Sequence, residues 1–170
     1  NKNDCWQINA VGTENIVNAC LKNKIKKLIF SSSSEVYGEQ PTSKKISEKS
    51  PLLGKNIYAL SKIAAENIIQ TKLYKKQTKY TIFRLFNTYG EGQVAQFFLP
   101  KIIYSIKYKK TIAVNGNGNQ TRSYGYCDDI SKGIKKCINK KISDNKIYNL
   151  GNSKEMFSLK QVINKASKLF

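Results

Sequence analysis

The sequence predicts an α/β protein with a parallel β-sheet flanked by helices. Short apolar segments of strand length alternate with longer segments in which apolar residues recur at helical spacing. The chain has 170 residues, of which 40% are hydrophobic and 11% aromatic, which is enough to form a folded core. No apolar run reaches the length of a membrane span, and no segment resembles a signal peptide.

The first half of the chain predicts two helices and two strands in alternation. Ile16 belongs to an apolar face of the first helix, and Leu60 to an apolar face of the second, which has the clearest helical spacing in the chain. The predicted elements, in order, are a helix over Ile8–Lys22, a buried strand over Lys27–Phe30, a helix over Ile57–Tyr74 and a strand over Tyr80–Phe86.

The second half continues the alternation with shorter elements. Asp128 or Asp129 is a candidate N-cap for one helix, and Ser158 is a candidate N-cap for the last helix. The predicted elements are a helix near Gln96–Tyr108, short strands over Thr111–Val114 and Thr121–Tyr126, a helix ending near Asn139, a strand over Ile147–Leu150 and a final helix after Ser158.

The ends of the sequence suggest an incomplete sheet. The chain begins without methionine on a predicted helix that directly precedes a core strand, and we expect it to end inside another helix at Phe170. A parallel sheet that begins in this way lacks its first strands. We therefore expect the sheet to be incomplete at both ends and the chain to be the middle of a longer protein.

The composition excludes several kinds of site. Without histidine, neither a Ser-His-Asp or Cys-His active site nor an HExxH zinc site can form. The four cysteines form no Cys-x-x-Cys pair, so we expect no metal site and reduced thiols in a cytoplasmic protein.

The net charge of +19 raises the question of a nucleic-acid partner. However, 28 of the 30 basic residues are lysines spread in ones and twos, whereas nucleic-acid readers favour arginine. We therefore interpret the charge as a compositional bias and expect no nucleic-acid partner. The alternative is a non-catalytic basic remnant that binds nucleic acid, and its binding would weaken steeply with added salt.

The strongest chemical signal is Tyr58 with Lys62, four residues apart on the best predicted helix. Residues at this spacing lie one turn apart on one face, and an adjacent ammonium group stabilises tyrosinate. Such a tyrosine can act as a general base for an alcohol. The spacing alone is common by chance in a chain with 10 tyrosines and 28 lysines. The context strengthens the signal, because serines that include Ser33 follow the preceding strand, at the strand end where α/β sheets bind ligands.

Six segments in order resemble the motifs of the extended short-chain dehydrogenases, the NAD-dependent epimerase/dehydratases that act on nucleotide sugars. The resemblance covers essentially the whole chain. The six segments are Asn9–Thr13, Ser33–Gly38, the pair Tyr58 and Lys62, Arg84–Gly90, Thr121–Asp129 and Asn149–Gly151.

The resemblance implies a Rossmann-like fold with two regions. Residues 1–90 would be the C-terminal half of an NAD-binding domain with the catalytic residues. Residues 91–170 would be part of a small C-terminal substrate domain, interleaved with the last core strands. The resemblance also implies that the complete protein forms a homodimer, with the helix over Ile57–Tyr74 as one candidate interface element.

The resemblance also implies roles for individual residues. Tyr58 would be the catalytic base, with Lys62 supporting it and holding the nicotinamide ribose. Ser33 would bind the sugar hydroxyl that is oxidised. Three further residues complete the implied set: Asn9 and Phe86 would lie beside the cofactor, and Asn87 would bind the diphosphate of the nucleotide sugar.

The two arginines differ in their expected roles. Arg122 would also bind the diphosphate, and its planar guanidinium suits two phosphate oxygens better than a lysine does. A surface ion pair is the alternative for Arg122. Arg84 lies inside a predicted strand, so we expect it to be structural.

Glu35 bears on the type of reaction. A glutamate at this place is common in the dehydratases and decarboxylases of the family, where it could remove a proton beside a transient ketone. The aspartate that usually precedes it in dehydratases is replaced here by Ser34, so the pattern is closer to that of nucleotide-sugar decarboxylases. A solvated loop carboxylate is an equally good interpretation of Glu35.

The glycine-rich phosphate-binding loop of the family does not occur in these 170 residues. Gly116 and Gly118 lie in an Asn-Gly repeat that predicts a turn instead. We therefore expect a nucleotide-sugar epimerase or dehydratase whose isolated chain binds NAD weakly and turns over little.

Overall fold

The computed structural model describes residues 2–39, 45–114 and 116–170, and it shows an α/β protein. The α-helices in these residues are α1 (Lys2–Trp6), α2 (Gly12–Lys22), α3 (Ile57–Lys72), α4 (Phe98–Lys107), α5 (Cys127–Ile138) and α6 (Leu159–Ser167). The strands are β1 (Lys27–Ser33), β2 (Lys79–Leu85), β3 (Thr88–Tyr89), β4 (Thr121–Arg122), β5 (Gly125–Tyr126), β6 (Lys146–Leu150) and β7 (Phe157–Ser158).

The chain divides into two compact units, each built from two segments. The first unit comprises Asn1–Leu85 and Lys132–Leu150, and the second comprises Phe86–Ser131 and Gly151–Phe170.

The first unit contains a three-stranded parallel sheet in the order β1-β2-β6. Ser33 at the end of β1 lies opposite Leu85, and Leu85 lies opposite Leu150. The carboxyl ends of all three strands therefore meet at one edge, and the predicted fold class is confirmed. The core against this sheet is made of Val17, Ile69, Leu73 and Ile82.

Helix α3 begins where a side chain caps it. The Asn56 side-chain oxygen accepts a hydrogen bond from the Ala59 amide nitrogen at 2.8 Å. This cap satisfies one of the amide groups that the first turn of a helix leaves unpaired, and it fixes where the helix starts. The predicted helix over Ile57–Tyr74 is thus confirmed, with its regular part ending at Lys72.

The second unit has a small apolar core where α4 packs against α6. Ile102, Val162 and Ala166 form its centre. Ser158 caps α6 through a reciprocal pair of hydrogen bonds with Gln161, so the predicted cap is confirmed. Two short ladders, β3 with β5 and β4 with β7, complete this unit.

Several local predictions are wrong. No strand forms over Thr111–Val114, although the segment contains β-branched residues. The predicted strand over Thr121–Tyr126 is two strands, because β4 pairs with β7 whereas β5 pairs with β3. Neither Asp128 nor Asp129 caps α5, because the helix already begins at Cys127.

The predicted apolar faces are correct except at two residues, which are exposed. Ile16 is 54% exposed and Leu60 is 45% exposed. The buried residues of α3 instead include the polar side chains of Ser61 and Glu66, which a search for apolar residues cannot detect. The first predicted helix also begins earlier than expected, because α1 continues through a π-helical turn at Gln7–Val11 into α2.

Candidate active site

The serine tract at the end of β1 forms one side of the candidate site. Ser33 is half-buried, and its side-chain oxygen accepts a hydrogen bond from the Glu35 amide nitrogen at 3.2 Å. This contact opens a 3₁₀ turn over Ser34–Tyr37. Glu35 is exposed, and its Oε2 accepts a hydrogen bond of 3.3 Å from Asn56, the residue that caps α3.

Tyr58 and Lys62 occupy the first turns of α3, as predicted. Tyr58 is 39% exposed. Lys62 is half-buried, and its Nζ donates a hydrogen bond to the Ser31 carbonyl oxygen at 2.9 Å. The same nitrogen lies 4.8 Å from the centre of the Phe30 ring and 5.9 Å from the centre of the Tyr58 ring. Lys62 thus joins α3 to β1, with its charge beside the phenol.

Burial lowers the pKa of Lys62, because a half-buried ammonium group loses hydration. Cys5 and Glu66 oppose this shift and favour the charged form. The Lys62 ammonium group has three donors, and the Ser31 carbonyl oxygen takes one of them.

Asn9 lies in the π-helical turn and contacts α3 at the turn that carries Tyr58. Its Nδ2 donates hydrogen bonds to Ser61 Oγ at 3.2 Å and to Cys5 Sγ at 3.4 Å. Ser61 Oγ in turn donates to the Tyr58 carbonyl oxygen at 2.8 Å. The Asn9 amide therefore links the π-helical turn to α3. Its role beside a cofactor stays a prediction.

A buried ion pair lies beneath the candidate site, and it was not predicted from the sequence. Glu66 is fully buried on α3, and Arg84 on β2 is 3% exposed. Their closest contact joins Arg84 Nη2 to Glu66 Oε2 at 2.7 Å. The expectation that Arg84 is structural is confirmed. The four-residue steps from Tyr58 through Lys62 to Glu66 were a signal that could have indicated the partner on α3.

The second unit carries the remaining predicted residues. Asn87 is exposed and lines a pocket of about 210 Å³ within this unit. Phe86 is half-buried against Gly151, where an added Cβ would lie 2.7 Å from the Phe86 Cβ. The full lining of the pocket is Asn87, Thr88, Gln93, Phe97, Phe98, Leu99 and Tyr124.

Arg122 is exposed on β4. Its Nη1 donates a hydrogen bond to the Thr121 carbonyl oxygen at 2.9 Å, so the guanidinium contacts main chain here.

Tyr126 and Glu91 form a separate surface pair in the second unit. Tyr126 Oη donates to Glu91 Oε2 at 2.8 Å. The hydrogen bond to the carboxylate raises the pKa of Tyr126 to about 12. A hydrogen bond from its own main chain, and then the one from Tyr126, lower the pKa of Glu91. Neither residue was singled out from the sequence.

The structure therefore brings the predicted residues together in two groups. The first unit holds Asn9, Ser33, Glu35, Tyr58 and Lys62, and the second holds Phe86, Asn87 and Arg122. In the first group the contacts join the end of β1 to the start of α3, and the roles of these residues stay predictions.

Comparison with known proteins identifies the family. The family model described as "NAD dependent epimerase/dehydratase family" matches residues 1–151. The chain belongs to this family. The resemblance inferred from the six motifs is thereby confirmed.

Individual relatives are similar over most of the chain. A human dTDP-D-glucose 4,6-dehydratase is 34% identical over 151 residues, which is 88% of this chain and 42% of the relative. A putative UDP-glucose 4-epimerase from Methanocaldococcus jannaschii is 35% identical over 158 residues, covering 87% of this chain and 48% of the relative. The chain thus spans less than half the length of these two relatives.

The fold agrees with solved structures of the epimerase/dehydratase family. A UDP-glucuronic acid 4-epimerase from Bacillus cereus in complex with NAD is similar with a TM-score of 0.88 and 27% identity, covering 94% of this chain and 51% of that chain. The Rossmann-like fold predicted from the motifs is thus confirmed for this part of the protein.

The donor groups in the first unit fit one end of NAD. An ammonium group with spare donors beside an exposed phenol suits the hydroxyl groups of a nicotinamide ribose.

Among the described residues, no group of three or more potential ligands could hold a metal ion. In the same part of the chain, no helix is both long and apolar enough to cross a membrane.

Proposed function

We propose that this chain supplies the catalytic residues of an NAD-dependent nucleotide-sugar epimerase or dehydratase. The observation that carries the proposal is the position of Tyr58 and Lys62 at the start of α3, with Lys62 bonded to the carbonyl oxygen of Ser31, two residues before Ser33. A base, a cation and a hydroxyl donor from two adjoining elements are the groups that oxidation of an alcohol requires.

In this mechanism, Tyr58 Oη removes the proton from a sugar hydroxyl. Tyr58 acts in its phenolate form, whose negative charge the Lys62 ammonium group stabilises before the proton is taken, and Ser33 donates a hydrogen bond to the sugar oxygen. NAD, when bound, would supply the acceptor and later the donor of the hydride at the sugar carbon. Oxidation at that carbon would give a keto-sugar, from which reduction on the other face would give the epimer and elimination before reduction would give the dehydrated product.

Lys62 would also hold the nicotinamide ribose, with Asn9 and Phe86 beside the cofactor. Glu35 would act on a proton beside the ketone. The hydrogen bond from Asn56 holds the Glu35 carboxylate at the start of α3, and its exposure leaves it accessible to a substrate.

The second unit would bind the nucleotide-diphosphate part of the substrate. Arg122 and Asn87 would contact the diphosphate. The aromatic walls of the pocket beside Asn87, formed by Phe97, Phe98 and Tyr124, are flat apolar surfaces that suit a ring.

The proposal extends to assembly and compartment. Apolar Ile16 on α2 and Leu60 on α3 are more than 40% exposed, which supports a homodimer through these helices. A Leu60→Asp variant should then sediment as a smaller species than the wild type.

All four cysteines are free, which supports a cytoplasmic location.

The test compares Tyr58→Phe with Tyr74→Phe, a control at an exposed tyrosine just beyond the end of α3. Each variant is mixed with NAD and a panel of nucleotide sugars, at high concentrations of chain and NAD because we expect weak binding. Products are separated chromatographically, and mass spectrometry detects loss of water.

We expect Tyr58→Phe to lower product formation by at least about 100-fold, while Tyr74→Phe leaves it unchanged. The proposal is overturned if product formation survives Tyr58→Phe. It is also overturned if Tyr74→Phe lowers product formation as much as Tyr58→Phe does.

A further inference from the structure

A buried polar cluster joins α3 to strands β1 and β2. Arg84 donates hydrogen bonds to both oxygens of the Glu66 carboxylate. Its Nε lies 3.0 Å from Oε1 and 3.2 Å from Oε2, and its Nη2 lies 2.7 Å from Oε2. Ser32 Oγ donates a further hydrogen bond to Oε1. One carboxylate on α3 thus holds a side chain from each of β1 and β2.

A buried ion pair of this kind contributes little net stability. The loss of hydration on burial offsets much of the attraction, and apolar residues of similar volume often replace such pairs without loss. What the pair supplies is geometry, because a bidentate guanidinium–carboxylate contact is directional in a way that an apolar contact is not.

The cluster is continuous with the proposed catalytic residues on both elements. On α3, Glu66 lies one turn beyond Lys62 and two turns beyond Tyr58. On β1, Ser32 lies between Ser31, whose carbonyl oxygen accepts from Lys62, and Ser33. A slip of α3 along β1 that moved Tyr58 relative to Ser33 would have to break the contacts of Glu66.

The same guanidinium reaches the turn that follows Ser33. Arg84 Nη1 donates to Tyr37 Oη at 2.9 Å and to the Glu48 carbonyl oxygen at 3.1 Å. Tyr37 Oη donates to Asn149 Oδ1 on β6 at 2.6 Å. Arg84 therefore connects α3, the 3₁₀ turn and the carboxyl edge of the sheet.

We propose that Ser32, Glu66 and Arg84 are positioning residues that fix α3 in register with β1 and so set Tyr58 and Lys62 against Ser33. This inference rests on the proposed function for its meaning, since it assigns a purpose to that geometry. Misplacement of reacting groups by about 1 Å can cost on the order of 100-fold in rate, so such a register matters for catalysis.

The test reads the position of Lys62 directly and needs neither cofactor nor turnover. Lysines are dimethylated with carbon-13, which leaves one N–H to donate, and the Lys62 signal is assigned with Lys62→Arg. Because Nζ lies 4.8 Å from the centre of the Phe30 ring, the ring current displaces this signal from those of solvated lysines.

Two variants remove the cluster to different extents. Ser32→Ala removes one donor, and its matched control is Ser31→Ala, because Ser31 is exposed and contacts Lys62 only through its carbonyl oxygen. Glu66→Gln alone would leave a buried unpaired guanidinium and risk unfolding. Glu66→Met with Arg84→Met instead replaces the whole pair with apolar side chains.

We expect the double variant to remain folded and the Lys62 signal to lose most of its displacement. Ser32→Ala should cause a partial loss, and Ser31→Ala none. A merely structural pair would change the melting temperature without moving this signal. The inference is overturned if the double variant melts cooperatively with the Lys62 signal at its wild-type position. A moved signal in a protein that acts on no sugar would refute the proposed function and leave the register role intact.

Discussion

Gly38 ends the turn that follows Ser33, and its replacement by alanine should be strongly destabilising. Its φ of 60° and ψ of −150° define a backbone conformation that is almost exclusive to glycine. A Cβ at this position would lie 2.1 Å from the Leu53 carbonyl oxygen and 2.7 Å from its carbonyl carbon. Both are main-chain atoms, so relief requires the Leu53 segment to move.

The expected cost is the sum of two effects. The backbone conformation costs about 1–3 kcal/mol for a residue with a side chain, and forcing an atom into a packed backbone costs about 1–3 kcal/mol. Gly38→Ala should therefore lower the free energy of unfolding by about 2–6 kcal/mol. With a slope of about 2 kcal/mol per molar urea, the unfolding midpoint should fall by about 1–3 M.

The assay is urea unfolding followed by the fluorescence of Trp6, the single tryptophan, which lies in the same unit as Gly38. Gly12→Ala is the control in that unit. Gly12 has helical φ and ψ, and an added Cβ would meet only the Gln7 carbonyl oxygen at 3.5 Å. It should stabilise the protein by about 0.4–1 kcal/mol. Equal midpoints for the two variants, with an unchanged slope, would refute the reasoning from the Leu53 contact.

Three further predictions concern the cap, the buried lysine and the surface tyrosine. Asn56→Ala removes the α3 cap and should cost about 0.5–2 kcal/mol in urea unfolding, whereas Asn56→Asp should cost less. Lys62→Met should raise the melting temperature at pH 7, because burial lowers the pKa of Lys62 and a neutral side chain avoids that penalty. The pKa of Lys62 in the folded state lies below its ordinary value of 10.5. The wild type therefore gains stability as the pH rises towards 10.5, and the difference in melting temperature between Lys62→Met and the wild type should shrink over that range. Spectrophotometric titration should find a tyrosine with a pKa of about 12, and Glu91→Gln should bring the pKa of Tyr126 back towards 10.

The parts of the fold that follow from short-range pattern were predictable from the sequence. The strand at Lys27–Phe30 and the helix from Ile57 were recognised because spacing and composition report burial and period directly. Thr111–Val114 was predicted to be a strand on one side of an Asn-Gly-rich turn, but a strand forms only where a partner strand is available, and a turn signal alone does not supply one.

The candidate site divides in the same way. Tyr58, Lys62 and Ser33 were found because their order along the chain matches a family motif. The pairing of Glu66 with Arg84 was not found, because it joins residues 18 apart across a helix and a strand. The exposure of Leu60 was not predicted for a related reason. Polar side chains such as Ser61, which contacts Asn9, occupy part of the buried face of α3, and apolar spacing does not reveal them.

The interleaving of the two units has a consequence for synthesis on the ribosome. Strand β2 ends at Leu85, but its neighbour β6 begins only at Lys146, after most of the second unit. At roughly 5–20 residues per second, one side of β2 waits about 3–12 s for its partner to be translated. During that interval its unpaired amide and carbonyl groups can pair with another nascent chain. Ribosome-bound chains halted between Leu85 and Lys146 should therefore need chaperones most.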